Sequence, residues 1–195
     1  MGELLEVYAP EQIVETGTFR GTTTRFFAEA RPTTPIHTAE LSPRAYGFAR
    51  QNLRGLANVR LFRGDSRELL RALAENALTR GRRTLFYLDA HWGTALPIRG
   101  EIEIVFTAFL NAVVAIDDFR VPDDPGYGYD HPDQEHALTI NSVNDLVERF
   151  SLRAFAPTLR SSEESGERRG LAILAPDDET VARLRSISTL RELLA

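Results

Sequence analysis

Acidic residues follow five short apolar segments of the sequence, at the point where each segment ends. They are Glu15, Glu40, Asp65, Asp89 and the pair Asp117-Asp118. If the segments are parallel strands of one open sheet, their carboxyl ends meet at the edge where such sheets bind ligands. Carboxylate oxygens at that edge accept hydrogen bonds from hydroxyl groups and bind hard cations. The pattern therefore favours one polar binding site over five unrelated strand ends.

The elements that must position these acids alternate along the chain. We predict strands at 12–16, 36–40, 59–62, 83–88 and 112–116, and helices at 22–30, 42–54, 66–78 and 99–110. After a long polar loop at 121–140 come a helix at 142–150, a hairpin with strands at 152–157 and 171–176, and a closing helix at 178–194. The pattern predicts an α/β fold, with a Rossmann-like, doubly wound, mostly parallel sheet of about seven strands and an antiparallel C-terminal hairpin. No linker or repeat interrupts it, so we expect a single domain over 1–195.

A glycine-containing turn directly follows the first predicted strand. It reads Glu15-Thr16-Gly17-Thr18-Phe19-Arg20-Gly21. Its two glycines allow a sharp turn and a close backbone approach to a ligand. Glu40 follows about 25 residues later, near the spacing at which an acid meets ribose hydroxyls in nucleotide-binding folds. Asp65-Ser66 supplies acceptors for an adenine amino group, so the first three strand ends favour an adenosine-containing ligand.

This turn differs from two well-known nucleotide motifs. A dinucleotide fingerprint needs a third glycine, and a P-loop needs a lysine. All 23 basic residues are arginine, and the chain contains neither lysine nor cysteine. A lysine base, a Schiff base and a cysteine nucleophile are therefore excluded.

Together, the glycine turn, Glu40, Gly64-Asp65-Ser66, Asp89 and Asp117-Asp118 resemble a class I S-adenosylmethionine-dependent methyltransferase. Over 13–130 the chain is most similar to metal-dependent O-methyltransferases of the macrocin and mycinamicin type, and more distantly to catechol O-methyltransferases. The resemblance implies that the turn, with Glu15, Thr16, Gly17, Thr18 and Gly21, packs against the methionine part of S-adenosylmethionine. It also implies that Glu40 binds the ribose and that Asp65 and Ser66 flank the adenine.

The same resemblance implies a Mg²⁺ site formed by Asp89, Asp117 and Asp118. The residue types agree, because Mg²⁺ prefers oxygen ligands and clustered carboxylates repel one another without a cation. Catechol-type enzymes carry a lysine base where this chain has Trp92. We therefore expect His91, the nearest group that titrates near neutrality, to act as the catalytic base beside Asp89.

The loop at 121–140 begins directly after the predicted metal pair. It is longer than an ordinary connection, as lids and binding loops are. Tyr127 and Tyr129 offer flat apolar faces with a polar tip, which suits a ring-shaped acceptor. We expect the loop to fold over the methyl acceptor, with Tyr129 and His131 in contact with it and Gly126 and Gly128 as hinges.

Charge is distributed unevenly along a chain whose net charge is −5. Segment 41–83 carries ten arginines and three acids, whereas segment 84–150 carries twelve acids and three arginines. The acidic half disfavours a nucleic-acid partner.

No apolar stretch is long enough to span a bilayer and no signal segment is present, so we expect a cytoplasmic protein. Only about ten residues precede the first strand; either the acceptor is large and the site open, or a second copy of the chain covers it.

The resemblance to these methyltransferases, with the strand-end residues that carry it, implies methylation of a hydroxyl group on a small molecule. The acceptor would be a sugar or a vicinal diol, and the reaction would use S-adenosylmethionine and Mg²⁺. Two other functions stay open from the sequence. One is an NAD-dependent oxidoreductase on a Rossmann sheet, which the missing third glycine disfavours. The other is a non-catalytic cofactor-binding protein, which the missing lysine favours. Fold class alone does not choose among the three.

Overall fold

The structure, a computed structural model, describes residues 1–90, 97–131, 137–164 and 166–193. Its strands are β1 (Gln12–Thr16), β2 (Ile36–Glu40), β3 (Val59–Arg63), β4 (Arg83–Leu88), β5 (Asn111–Asp117), β6 (Arg153–Pro157), β7 (Leu171–Ala175) and β8 (Leu190–Leu193). Its helices are α1 (Gly2–Tyr8), α2 (Thr22–Ala30), α3 (Pro43–Asn52), α4 (Ser66–Glu75), α5 (Ala77–Arg80), α6 (Ile98–Ala108), α7 (Ile140–Arg149) and α8 (Asp178–Arg185). None of the described helices has the length and apolar character needed to cross a membrane.

All eight strands form one sheet in the order β3-β2-β1-β4-β5-β7-β6-β8. The five strands from β3 to β5 are parallel, and β7 is antiparallel to both of its neighbours. The predicted doubly wound, mostly parallel sheet with an antiparallel C-terminal hairpin is confirmed. The chain runs from β1 outward to β3 and then returns to β4 on the other side of β1. This switch point lies between β1 and β4, where open α/β sheets bind ligands.

The prediction of a helix over 178–194 is wrong in its second half. Helix α8 ends at Arg185, and the chain then returns as β8, which pairs antiparallel with β6. The sheet therefore has eight strands rather than about seven. An unpaired β6 would expose a row of backbone hydrogen-bonding groups, and β8 covers that edge.

Helices cover both faces of the sheet. On one face, α4, α6 and α7 pack on β4 and β5 through side chains such as Leu70, Ile102 and Val143. On the other face, α1, α2 and α8 pack through side chains such as Leu5, Phe27 and Leu184. The sequence analysis assigned no helix to the first ten residues, although α1 buries Leu4, Leu5 and Tyr8 against this face. The apolar strand β5 is buried on both sides, as predicted.

Candidate functional site

The polar residues of the strand ends lie along one edge of the sheet. Thr16 pairs with Leu88, and Leu88 pairs with Ile116, so the next residues of β4 and β5 are the neighbours Asp89 and Asp117. Glu40 ends β2 on the far side of β1. The structure thus brings the cofactor residues and the metal residues predicted from the sequence to one edge. Their roles remain predictions.

The glycine turn requires glycine at two positions. Gly17 and Gly21 have φ angles of +84° and +79°, in the left-handed region that favours glycine. A Cβ atom on Gly17 would overlap with the carbonyl oxygen of Asp89, and one on Gly21 would lie 2.9 Å from the Leu53 side chain. The N–H groups of Gly17 and Thr18 both donate to the carbonyl of Ala39, each at 3.0 Å. The turn is therefore held between the ends of β2 and β4.

Glu15 lies beneath this turn and is fully buried. Its carboxylate accepts hydrogen bonds from the hydroxyls of Thr24 and Thr38, and the Thr38 hydroxyl lies 2.6 Å from that of Thr18. Burial raises the pKa of Glu15 to about 7, although the two threonine hydrogen bonds act to lower it. The hydroxyl network ties β1 to β2 and to the start of α2, and so fixes the shape of the turn from below.

Glu40 holds the turn from its other side. One carboxylate oxygen accepts the N–H of Phe19 at 2.7 Å, and the other accepts the N–H of Ser42 at 2.7 Å. Only 3% of Glu40 is exposed. Phe19 has a φ of 47°, a strained conformation for a residue with a side chain. Because each carboxylate oxygen accepts more than one hydrogen bond, Glu40 retains acceptor capacity for ribose hydroxyls.

Asp65 and Ser66 begin α4. Asp65 is the N-cap and accepts the backbone N–H of Arg67 at 2.8 Å, and the Arg67 guanidinium pairs with both of its oxygens at 2.9 and 2.5 Å. These bonds hold the pKa of Asp65 below its usual value despite partial burial. Ser66 is buried. The structure thus gives Asp65 a helix-capping role that the sequence analysis did not assign, and contact with adenine remains a prediction.

The predicted metal residues bring several carboxyl groups close enough to change one another's pKa. Burial, followed by the negative charges of Asp117 and Asp118, raises the pKa of Asp89 to about 9. Burial and the nearby carboxylates, including a hydrogen bond to Asp117, also raise the pKa of the Tyr87 hydroxyl. The predicted catalytic base His91 lies outside the described residues. Carboxylates this close repel one another, so a nearby positive charge would stabilise their ionised forms.

Arg169 supplies such a charge, and the sequence analysis missed it. Its Nε pairs with Asp118, and its terminal nitrogen pairs with Asp130 at 2.6 Å. Asp117 pairs with Leu171 across the antiparallel β5–β7 ladder, which carries Arg169 past the end of β5. The sequence signal for Arg169 was indirect, because this residue directly precedes the second strand of the predicted hairpin, which begins at Leu171. The pattern did not show that this strand lies beside β5.

Burial and hydrogen bonds to residues 159–161 hold the first part of the loop at 121–140 in place. Tyr127 is 3% exposed, and its hydroxyl donates to the carbonyl of Leu159 at 3.0 Å. Asp124 accepts two hydrogen bonds from Ser161, both at 2.7 Å. A Cβ atom on Gly126 would overlap with the Ser161 side chain. Tyr127 therefore anchors the loop instead of facing the acceptor, and Gly126 permits a close approach instead of serving as a hinge.

Tyr129 and His131 lie farther along the same loop. Their rings are 4.8 Å apart, and the guanidinium of Arg120 lies 5.8 Å from the centre of the Tyr129 ring. Tyr129 is half-buried, and His131 is exposed. The backbone N–H of Asp130 donates to the carbonyl of Asp118 at 2.9 Å, which holds this part of the loop beside the acidic pair. Both residues predicted to contact the acceptor are therefore near the predicted metal residues.

No protein-family model and no curated protein matches the sequence of this chain. Solved structures do match its fold. The O-methyltransferase TomG from Streptomyces achromogenes, solved with SAM, has 18% identity and a TM-score of 0.61, over 90% of this chain and 78% of that one. An O-methyltransferase from Bacillus cereus, solved with SAH, has 15% identity and a TM-score of 0.62, over 89% and 80%.

A third solved structure, that of a putative caffeoyl-CoA O-methyltransferase from Staphylococcus aureus, has 18% identity and a TM-score of 0.63, over 90% of this chain and 80% of that one. At these identities the likeness concerns the fold. It agrees with the observed strand order and with the resemblance that the strand-end residues indicated. The chain has the fold of the class I S-adenosylmethionine-dependent O-methyltransferases.

Proposed function

We propose that the chain is an S-adenosylmethionine-dependent methyltransferase that methylates a hydroxyl group of a small molecule, a sugar or a vicinal diol, with the help of Mg²⁺. The observation that carries this proposal is the glycine turn held against Glu40 at the switch point of the sheet. Two of the structural neighbours, TomG and the Bacillus cereus enzyme, were solved with SAM and SAH. Their bound ligands support the same cofactor here.

The residues of the first three strand ends fit an adenosine cofactor. A Cβ atom at Gly17 would overlap with the carbonyl of Asp89, so the glycine lets the turn pack directly on the end of β4 at the switch point. Glu40 is fixed by two backbone N–H groups and needs no reorganisation to accept ribose hydroxyls. Glu15, Thr16 and Thr18 lie in or beneath the turn, and we assign them to the methionine end of the cofactor. We assign Asp65 and Ser66, at the start of α4, to the adenine end.

The donor set at the ends of β4 and β5 fits a divalent cation in chemistry and charge. Asp89, Asp117 and Asp118 offer only oxygen ligands. Burial, followed by the charges of the other two carboxylates, raises the pKa of Asp89, and a bound cation would offset both effects. Within the described part of the chain, no three acidic or histidine side chains already converge on one point. Since Arg169 pairs with Asp118, the cation would enter by displacing that guanidinium from Asp118.

When bound, S-adenosylmethionine supplies a methyl group on a positively charged sulfur, and Mg²⁺ lowers the pKa of a hydroxyl beside it. The chain then has two tasks. Glu40 and the glycine turn hold the cofactor, while Tyr129 and His131 hold the acceptor in line with it. The hydroxyl proton goes to a base at the end of β4, for which we assign His91 with Asp89 beside it. The partner is a small molecule, and the acidic edge disfavours nucleic acid.

The binding test uses calorimetry with S-adenosylhomocysteine and, separately, NAD. We expect binding of the first at micromolar concentration and no binding of the second. Binding of NAD alone would instead support the oxidoreductase. Light scattering on the same samples shows whether a second copy of the chain accompanies cofactor binding.

The activity test follows methyl transfer to a panel of sugars and vicinal diols, with and without Mg²⁺. We expect turnover that a chelator abolishes, and loss of turnover in Asp117→Asn with unchanged binding of S-adenosylhomocysteine. Asp145→Asn, in an exposed ion pair of α7 far along the chain, is the matched control. Full activity of Asp117→Asn in a chelator would refute the metal assignment, and binding without turnover on any acceptor would favour the non-catalytic function.

A further inference from the structure

A cavity open to solvent lies at the opposite edge of the sheet from the site described above. Its volume is about 370 Å³, and it opens at the amino ends of β2 and β3. Thr33 and Pro35 lead into β2, Asn58 leads into β3, and Asn76 and Thr79 come from the end of α4 and from α5. Ligand sites have volumes in this range. No residue of the cavity belongs to the proposed methyl-transfer machinery.

The charged side chains around this cavity are all cationic or can become so. His37 and Arg60 are partners in the parallel register of β2 and β3, and Arg82 approaches from the turn before β4. No lining residue is acidic. Burial lowers the pKa of His37, and the positive charges of Arg60 and Arg82 lower it further. The imidazole therefore faces two guanidinium groups with no carboxylate to balance them.

The guanidinium groups of Arg60 and Arg82 retain N–H donors that no described residue accepts. One nitrogen of Arg60 donates to the carbonyls of Ala57 and Val59 at 2.9 and 3.2 Å, which fixes the side chain and leaves its other nitrogens unused by the residues described. Arg82 is half-buried and forms no ion pair within the described ranges. This contrasts with Arg67 and Arg169, whose forks hold carboxylates. Guanidinium forks match the oxygens of a phosphate, and they bind it in bidentate geometry.

We propose that this cavity binds the phosphate group of a small phosphate monoester, held by Arg60 and Arg82 with His37 as a third donor. The two guanidinium charges, Arg60 exposed and Arg82 half-buried, suit a dianion, and the remaining volume accommodates the organic part of the ligand. The asparagine and threonine side chains on the α4–α5 side supply neutral polar contacts. The site is separate from the methyl-transfer edge, so the proposal does not depend on the proposed function.

Binding of a phosphate dianion adds negative charge beside His37. The charged groups around the imidazole are Arg60 from β3 and Arg82 from the turn before β4, whereas the α2–β2 and α4–α5 segments contribute neutral residues. The anion therefore favours the protonated imidazole. By linkage, a bound phosphate raises the pKa of His37.

The test is an NMR titration of the four histidine rings with inorganic phosphate and then with glycerol 1-phosphate, with His37→Gln used to assign the His37 signals. We expect a saturable shift of the His37 signals and a rise of its pKa with either probe. Tighter binding of glycerol 1-phosphate identifies a monoester as the ligand class, and equal binding overturns that assignment. Sodium chloride at matched ionic strength should produce neither effect.

Arg82→Gln is the main variant, because among the described residues Arg82 forms hydrogen bonds through its backbone and none through its side chain, so the substitution leaves those bonds in place. We expect it to weaken phosphate binding by about tenfold. Arg60→Gln should have a similar effect, and Arg50→Gln, an exposed arginine of α3, should have none. A phosphate shift that chloride reproduces, or that survives in the Arg60→Gln/Arg82→Gln double variant with an unchanged melting temperature, would overturn the proposal. Calorimetry with S-adenosylhomocysteine should be unaffected in every variant.

Discussion

The two halves of the strand-end site hold their carboxylates in different ways. On the β1–β2 side, Glu40 is satisfied by two backbone N–H groups and Glu15 by two threonine hydroxyls. On the β4–β5 side, burial and the neighbouring carboxylates raise the pKa of Asp89, and Asp118 forms an ion pair with Arg169 from a distant hairpin. Neutral donors fix geometry, whereas an ion pair to a half-exposed arginine can exchange for another cation. The first half is therefore rigid, as the proposed cofactor role requires, and the second can exchange its cationic partner, as the proposed metal role requires.

The strongest test of the rigid half is Gly17→Ala. The new methyl group would overlap with the carbonyl of Asp89 and would sit at a φ of +84°. We expect binding of S-adenosylhomocysteine to fall by about a hundredfold or more, with lower thermal stability, because strain of this kind costs several kcal/mol. Gly55→Ala is the control, since Gly55 has a φ of +89° with nothing within 4 Å of the added atom. Equal effects of the two variants would show that only the backbone angle matters and not the close approach.

Glu15 tests the same half through pH. Its pKa is about 7 in the folded state, above its ordinary value of 4.5, so the folded chain holds this proton more strongly than the unfolded chain. Stability is therefore fully present below pH 4.5, falls as the pH rises toward 7, and levels off above it, for a total loss of about 3 kcal/mol. Glu15→Gln stays neutral and should remove this loss.

The measurement is urea unfolding of both proteins at pH 5, 6, 7 and 8. The difference in unfolding free energy between variant and parent should move in favour of Glu15→Gln as the pH rises. Glu29→Gln, on the exposed face of α2, should keep the parent's pH dependence. A constant difference for Glu15→Gln across the four pH values would contradict an elevated pKa.

Glu40→Ala removes the acceptor at the end of β2. We expect binding of S-adenosylhomocysteine to weaken about tenfold or more, because a hydrogen bond to a charged group contributes about 1.5–3 kcal/mol. The variant also frees the N–H groups of Phe19 and Ser42, so Glu40→Gln is needed beside it, since its amide retains one acceptor oxygen. Calorimetry should rank the parent first, Glu40→Gln second and Glu40→Ala last. Unchanged affinity in both variants would contradict the assignment of the ribose to Glu40.

Arg169→Gln tests the exchangeable half and should have the smallest effect. Removing the guanidinium takes one positive partner away from Asp118 and Asp130, so we expect Mg²⁺ to bind severalfold more tightly by calorimetry. Arg168→Gln, one residue earlier, is the control. Weaker Mg²⁺ binding in Arg169→Gln would mean that the arginine orients the carboxylates for the metal instead of competing with it.

The local pattern of the sequence was sufficient to predict most of the fold. Alternating apolar strands and amphipathic helices, with turns at Gly17 and at Ser42-Pro43, are short-range signals, and the parallel sheet follows from them. The same reasoning placed the acids of the strand ends at one edge. It failed at β8 and α1, where few residues carry the pattern and where packing against β6 and α8 decides the structure.

The identities of the strand-end residues and their order along the chain were determined by the sequence alone, and the proposed ligand chemistry rests on them. Which groups satisfy them was decided only by the tertiary structure. Arg169 is 51 residues from Asp118, and Thr38 is 23 residues from Glu15. No local propensity specifies such pairs, because they depend on which strands become neighbours. The cavity that joins His37, Arg60 and Arg82 has the same origin, since the sheet brings together three segments whose separate patterns show only scattered basic residues on a solvated surface.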